Sequence, residues 1–193
     1  MLGLKLPTDP RWVDIAKKNI EEILIDHAYC EQKAASSCIS LIVQYPQYQK
    51  LVDVLTPVVS EEWDHFQRVL EHLKKRGFTL GMPRRDEYVV ALHRSIPKGG
   101  SKVEQLVEKL LVNALIEARS CERFKLLWQQ IEDPDLKIFY HELMISEAGH
   151  YNNFIILAKE YHSPEKVETR WKKWLEKEAE IISNLEIRSD RMH

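Results

Sequence analysis

The chain contains few of the residues that interrupt helices. Only 6 Gly and 8 Pro occur among its 193 residues, and Leu, Ile, Glu and Lys are abundant, a composition that favours helix over sheet. The net charge of −2 gives no overall attraction to nucleic acid or an anionic membrane, so any such affinity requires a local patch. No apolar run reaches membrane-spanning length, and the first residues lack the apolar core of a signal peptide. The sequence therefore predicts one soluble, cytoplasmic, all-α domain over residues 1–193.

Cysteine is also scarce. Cys30, Cys38 and Cys121 are the three cysteines, and no two of them form a Cys-x-x-Cys pair. This pattern excludes a disulfide framework and argues against the electron-transfer domain that a rubrerythrin-like peroxidase usually carries. All three cysteines fall in helical apolar patterns, so we expect buried free thiols in a reducing compartment.

Apolar residues recur at helical spacing through most of the chain. The pattern predicts long helices over 11–44, 47–76, 101–131, 134–161 and 164–187, with Pro57 kinking or restarting the second. Residues 78–100 contain most of the glycine and much of the proline, which indicates a long crossover with a short helix near 86–94. Residues 188–193 are expected to be frayed.

A Glu-x-x-His motif occurs twice. Glu62 and His65 are three residues apart, and so are Glu147 and His150. Residues at this spacing share one face of a helix, so each pair can offer a carboxylate and an imidazole to one metal ion. A single Glu-x-x-His is common and is typical of a solvated face, whereas two within matching apolar stripes indicate a metal site.

Each Glu-x-x-His motif is preceded by another glutamate within an apolar helical stripe. Glu31 lies in the first long helix and Glu117 in the third, where an unpaired carboxylate would be costly to bury. Glu117 follows Glu31 by 86 residues, and the second Glu-x-x-His follows the first by 85. Glu122 is an alternative to Glu117, about 140° further around the same helix. The offset favours Glu117 and leaves Glu122 as a supporting or surface group.

Four glutamates and two histidines on four helices are the ligand set of a carboxylate-bridged dimetal centre in a helical bundle. Such ligands suit iron or manganese more than calcium or zinc. Carboxylates that bridge two metals hold them about 3.5–4 Å apart, close enough for both to act on one dioxygen molecule. Asp26, His27 and Asn113 are candidates to orient the ligands.

The chain resembles the MiaE family of bacterial tRNA 2-methylthio-N6-isopentenyladenosine hydroxylases over nearly its whole length. Four segments carry the resemblance, and the third is the most specific: Cys30–Ala35, Glu61–Phe66, Ile116–Phe124 and Ser146–Tyr151. The resemblance implies a ferritin-like four-helix bundle with a long crossover and an additional C-terminal helix. The implied metal ligands and catalytic residues are Glu31, Glu62, His65, Glu117, Glu147 and His150.

The same resemblance implies the cofactors, substrate and partners. They are a non-haem di-iron centre of two iron ions, dioxygen as co-substrate, and electrons from a separate reductase or electron-transfer protein. The substrate would be a tRNA whose hypermodified adenosine, next to the anticodon, is hydroxylated on its isopentenyl group. Stable membrane association is not expected. Basic residues around the crossover are candidates for tRNA phosphate contacts: Arg84, Arg85, Arg94, Lys98 and Lys102.

Two other functions fit a similar ligand set. A demethoxyquinone-type di-iron hydroxylase would need an exposed apolar surface for docking on a membrane. A non-catalytic ferritin-like iron-binding protein would take up iron without oxidising an organic substrate, although ferritins generally lack the second histidine that His150 supplies.

Overall fold

The structure, a computed structural model, describes residues 2–188 and 190–192. Over these residues the chain is helical and contains no strand. The helices are α1 Arg11–Lys18, α2 Ile20–Gln44, α3 Gln49–Lys75, α4 Glu87–Arg94, α5 Lys102–Gln130, α6 Pro134–Tyr161 and α7 Pro164–Asn184. None of these helices is long and apolar enough to cross a membrane.

The described residues form two compact units, each built around one pair of long helices. Unit 1 comprises residues 2–10 and 86–187, and its central pair is α5 and α6. Unit 2 comprises residues 11–85 and 188–192, and its central pair is α2 and α3. Both pairs are joined by short loops, as expected for hairpins of adjacent helices. The single domain expected over 1–193 stays a prediction.

Unit 2 departs from the sequence prediction at Asn19. The predicted helix 11–44 is two helices, because the Asn19 side chain donates a hydrogen bond of 2.8 Å to the Ile15 carbonyl and competes with continuation of the helix. Pro57 does not divide α3, which continues as one helix on both sides of it. Pro57 is exposed, so the carbonyl that loses its amide partner can reach water.

The helix starts in unit 1 follow the sequence signals closely. The Ser101 side chain accepts a hydrogen bond from the Glu104 amide, and the Glu104 carboxylate accepts one from the Ser101 amide, which completes a capping box for α5. Asp133 caps α6, with Pro134 in its first turn. The predicted short helix in the crossover is present as α4, and the Asp86 side chain caps it.

A buried polar network links distant segments of unit 1. Arg119, on α5, is fully buried and donates to both Glu122 on the same helix and Glu178 on α7. It also donates to Thr8 Oγ1 at 3.1 Å and to the Leu6 carbonyl at 3.0 Å. The N-terminal segment is therefore fixed against α5 and α7 by charge-assisted hydrogen bonds.

Residues 190–192 are packed within unit 2, where the sequence predicted fraying. Met192 is fully buried, and its amide donates a 2.7 Å hydrogen bond to Asp26 Oδ2 in α2. Trp12 Nε1 donates to the Arg191 carbonyl at 3.2 Å. The expectation of a frayed end was wrong for residues 190–192, because a buried backbone amide and a buried apolar side chain both find partners in unit 2. Ser189 and His193 lie outside the described residues.

Candidate metal centre

Unit 2 contains a buried triad of two glutamates and a histidine. Glu31 projects from α2, and Glu62 and His65 from the inner face of α3; their exposed fractions are 4%, 1% and 5%. His65 Nδ1 lies 3.4 Å from Glu31 Oε2 and 3.6 Å from Glu62 Oε2. One ligand atom from each residue lies within 4.8 Å of the others. We call this group the α2–α3 triad.

Unit 1 contains the matching group. Glu117 projects from α5, and Glu147 and His150 from α6; their exposed fractions are 4%, 2% and 1%. His150 Nδ1 lies 3.8 Å from Glu147 Oε2. One ligand atom from each of the three residues lies within 4.8 Å of the others. We call this group the α5–α6 triad. Each predicted Glu-x-x-His pair is thus joined by the predicted glutamate of its partner helix.

Both triads have the composition expected of a metal site. Each places two carboxylates close together in a buried position, where two like charges without a counterion would be strongly unfavourable. A divalent cation balances the charge of two carboxylates, and a neutral imidazole adds a third donor without adding charge. Carboxylate and imidazole together suit first-row metals such as iron and manganese. The residues present therefore fit one divalent metal per triad.

A second histidine supports the α2–α3 triad. His27 lies one turn before Glu31 on α2, is fully buried, and its Nε2 is 2.6 Å from Glu31 Oε1. This hydrogen bond fixes one oxygen of the Glu31 carboxylate and so orients the other. Asp26, the other candidate on α2 to orient a ligand, instead accepts a hydrogen bond from the Met192 amide at its Oδ2.

Two further candidates from the sequence, Glu122 and Asn113, form hydrogen bonds with residues outside the triads. The Glu122 carboxylate accepts hydrogen bonds from the Thr8 amide at 3.1 Å, from the Thr8 hydroxyl at 2.7 Å and from Arg119. Asn113 donates to the carbonyl of Lys109, one turn earlier, at 2.9 Å. Glu117, rather than Glu122, joins the Glu-x-x-His pair of α6, as the repeat offset favoured.

Cys121 follows Glu117 by one turn but is a structural thiol. It is fully buried, and its Sγ donates to the Met144 carbonyl at 3.1 Å. Burial, and then the nearby Glu147 carboxylate, raise the pKa of the Cys121 thiol to about 12. It is therefore protonated at neutral pH and is not a nucleophile or a thiolate ligand there. Cys38 is also buried, whereas Cys30 is only half-buried.

The predicted RNA-contact residues fall into different environments. Arg84 pairs with Glu22 in unit 2, and its Nη1 lies 3.8 Å from Asp190 Oδ2. Arg94 and Lys98 each line an open cleft in unit 1. Lys102 is exposed at the first position of α5. Arg85 is also exposed, and its carbonyl accepts a hydrogen bond from Arg191.

The sequence analysis missed the clamp that shapes those clefts. Glu108, on α5, accepts from Arg170 Nε at 2.6 Å, from Arg170 Nη2 at 2.7 Å and from Trp174 Nε1 at 2.7 Å. Glu108 lies on α5, and its two partners lie on α7, 62 and 66 residues later in the sequence. The available signal in the sequence was a glutamate next to the apolar residues Leu106, Val107, Leu110 and Leu111 of α5.

Two helical hairpins, each with a Glu-x-x-His helix and a facing glutamate, place the protein in the ferritin-like class of all-helical metalloproteins. The sequence profile of the tRNA-(MS2IO6A)-hydroxylase (MiaE) family matches residues 2–193. The chain belongs to this family.

Two curated relatives share one name, tRNA 2-(methylsulfanyl)-N(6)-isopentenyladenosine(37) hydroxylase. The protein from Pseudomonas putida is 39% identical over 158 residues, which cover 82% of this chain and 76% of the relative. The protein from Salmonella typhimurium is 27% identical, over 93% of this chain and 83% of the relative.

A solved structure is also similar over almost the whole chain. It is a protein from Synechococcus described as having aldehyde deformylating oxygenase activity. The TM-score is 0.92 at 34% identity, and the match covers 98% of this chain and 94% of the other.

Proposed function

We propose that this chain is an oxygen-dependent tRNA hydroxylase that acts on the isopentenyl group of 2-methylthio-N6-isopentenyladenosine. The observation that carries the proposal is the pair of buried Glu–Glu–His triads in a chain of the MiaE family. The names of the two curated relatives supply the substrate. Since that substrate is a tRNA base, the expected location is the cytoplasm.

We further propose that the two triads bind two iron ions of one centre. Glu31, Glu62 and His65 would supply one half of the ligands, and the residues 85 or 86 positions later would supply the other half. Four carboxylates balance the charge of two divalent ions, and the two imidazoles complete the donor set. The equal composition of the two triads supports binding of two ions rather than one.

Bound iron in such a centre would supply the activation of dioxygen. Hydroxylation consumes dioxygen, two electrons and two protons; one oxygen atom enters the product and the other leaves as water. We propose that a separate reductase delivers the electrons. The protein's own residues hold the ligands in position and exclude water, since the triads are buried among apolar side chains such as Val58, Val69, Leu143 and Phe154.

His27 has a positioning function in this scheme. Its ring nitrogen is bonded to one oxygen of Glu31, which limits rotation of that carboxylate. Cys121 stays protonated beside the α5–α6 triad, so it offers neither a competing thiolate ligand nor a negative charge.

The test is nucleoside mass spectrometry after incubation of iron-loaded protein with oxygen, an electron donor and isopentenylated tRNA. The expected product carries one added oxygen on the hypermodified adenosine. Glu62→Gln should abolish the product and lower the iron content, whereas Glu61→Gln is a matched control because Glu61 is the adjacent, exposed glutamate on the same helix. Glu147→Gln and the exposed Glu142→Gln form the equivalent pair on α6.

Two results would contradict the proposal. Normal iron content in both Glu62→Gln and Glu147→Gln would show that the triads are not the iron ligands. A protein with a reducible iron centre that leaves tRNA unchanged would show that tRNA is not the substrate. An aldehyde assayed in parallel would then show whether the activity resembles that named for the Synechococcus protein.

A further inference from the structure

Two neighbouring clefts in unit 1 form one basic surface. Their volumes are about 500 Å³ and about 460 Å³, and Pro97 and Arg170 line both. They lie where the end of α4 and the following loop pack beside the first turns of α5 and α7. We call the pair of clefts the basic groove, and its cationic residues are Arg94, Lys98, Lys166, Arg170, Lys173 and Lys177.

The charge of the groove is opposite to that of the chain. Six cationic side chains line it, against the two carboxylates of Glu104 and Glu108, in a protein whose net charge is −2. Both carboxylates already have partners, because Glu108 is held by Arg170 and Trp174, and Glu104 caps α5. The remaining positive charge attracts an anionic ligand.

Arg170 has a structural role in the groove, whereas three other cationic residues of the groove are exposed to a ligand. The Arg170 guanidinium forms two short hydrogen bonds with Glu108 and holds α7 against α5. Arg94, Lys98 and Lys173 are exposed, and no carboxylate lies within ion-pair distance of them among the described residues. Exposed cations on a wall that is fixed by the Glu108–Arg170 clamp are suited to contacts with the phosphates of a nucleic acid.

The position of the groove along α5 determines which part of an RNA it can contact. Glu104 and Glu108 in its wall precede Glu117 by 13 and 9 residues. At a rise of about 1.5 Å per residue, the groove is roughly 13–20 Å along the helix from that proposed iron ligand. A span of this length is longer than the distance between adjacent phosphates of a nucleic-acid strand, so it corresponds to several nucleotides.

We propose that the basic groove binds the phosphate backbone of the substrate RNA several nucleotides from the reacting adenosine. The inference rests on the proposed function for the identity of the RNA. The groove is too far from Glu117 to hold the reacting base, so its contacts contribute to affinity and positioning of the RNA and not to the reaction itself. Of the residues predicted from the sequence, Arg94 and Lys98 line the groove, whereas Arg84 pairs with Glu22.

The test compares two double variants with the same change in charge. Arg94→Glu with Lys173→Glu reverses two exposed groove residues, and Lys137→Glu with Lys172→Glu reverses two exposed lysines outside its lining. The probe is fluorescently labelled tRNA that carries the isopentenylated adenosine. Its dissociation constant is measured by anisotropy between about 0.05 and 0.3 M salt, a range over which phosphate contacts dominate the affinity.

Each phosphate contact contributes a slope of about 0.7–0.9 in a plot of log K against log salt. Loss of two contacts should therefore lower the slope by about 1.4–1.8, and the groove variant should bind about 10- to 30-fold more weakly at 0.15 M salt. In the hydroxylation assay, its KM for tRNA should rise by a similar factor while kcat stays unchanged. Iron content and helical circular dichroism should match the wild type.

Equal losses of affinity in the two double variants would overturn the proposal, because net charge alone would then explain them. A lower affinity with an unchanged salt slope would also overturn it. If the groove variant instead lost binding to phosphatidylglycerol vesicles and kept tRNA binding, the surface would be a lipid contact and the RNA assignment would be wrong. Failure of the wild type to hydroxylate tRNA would reject the proposed function separately, since binding and its salt slope are measured without turnover.

Discussion

Replacement of Arg119 by methionine should destabilise the protein more than most single substitutions. Arg119 is fully buried, and it donates to the Glu122 and Glu178 carboxylates, the Thr8 hydroxyl and the Leu6 carbonyl. The Glu178 carboxylate is itself fully buried and lies 2.6 Å from the guanidinium. Arg119→Met removes the cation and leaves this carboxylate without its charged partner.

Removal of one partner of a buried ion pair costs about 3–5 kcal/mol. In a chain of this size, each kcal/mol shifts Tm by about 2–4 °C, so we expect Tm to fall by about 6–20 °C. The double variant Arg119→Met with Glu178→Leu should be less destabilised than the sum of the two single variants, because Glu178 is then no longer a fully buried carboxylate without its cation. Tyr88→Phe is the mild control, since the Tyr88 hydroxyl makes a 3.3 Å hydrogen bond to Glu178.

The assay is thermal and urea denaturation of the metal-free variants, with unfolding monitored by circular dichroism. A cost below about 1 kcal/mol for Arg119→Met would refute the reasoning, since that is the value of an exposed pair. Strict additivity of the two single substitutions would refute it as well, because it would show that the two side chains are not coupled.

Three other outcomes follow from single contacts. His27→Ala should weaken iron binding about 10- to 100-fold in a chelator competition, because Glu31 loses the hydrogen bond that orients it; an unchanged affinity would rule out this role. At pH 8, Cys30 should react with a thiol reagent in the folded protein and Cys121 only after unfolding; rapid labelling of Cys121 in the folded state would contradict its buried environment. Because the pKa of the Cys121 thiol is raised to about 12, the stability that the protonated thiol contributes is present below pH 9 and is lost between about pH 9 and 12. Pro57→Ala should raise the urea midpoint by removing an exposed proline from the interior of α3, where it costs up to about 3 kcal/mol; a lower midpoint would show that the proline is needed for the path of the helix.

The helices were predictable because their information is local. Ser101 with Glu104, and Asp133 with Pro134, mark helix starts within a few residues, and the structure places α5 and α6 where these signals predict. Asn19 was missed because one side-chain hydrogen bond to the preceding turn competes with an otherwise continuous apolar pattern.

The members of the two triads were predictable because spacing and burial carry chemical meaning. A glutamate three residues before a histidine, repeated after 85 residues, identified the pairs without any knowledge of three-dimensional contacts. The environment of Glu122 could not be read in the same way, because its partner Thr8 is 114 residues away. The Glu108 clamp was missed for the same reason, and with it the wall of the basic groove. Whether the six residues together bind two iron ions stays a prediction.

The order of the two units along the chain has a consequence for folding and for protein engineering. Unit 2 is interrupted by the 102 residues from Asp86 to Ile187, and its second segment begins only at residue 188. Asp26 therefore receives the Met192 amide only after residues 86–187 have been synthesised. An excised fragment of residues 11–85 would expose the surface that buries Met192, and a ribosome would release the α2–α3 hairpin well before its last partner became available. Neither unit can be cut from the gene as a continuous segment, so the protein has to close long loops before either unit is complete.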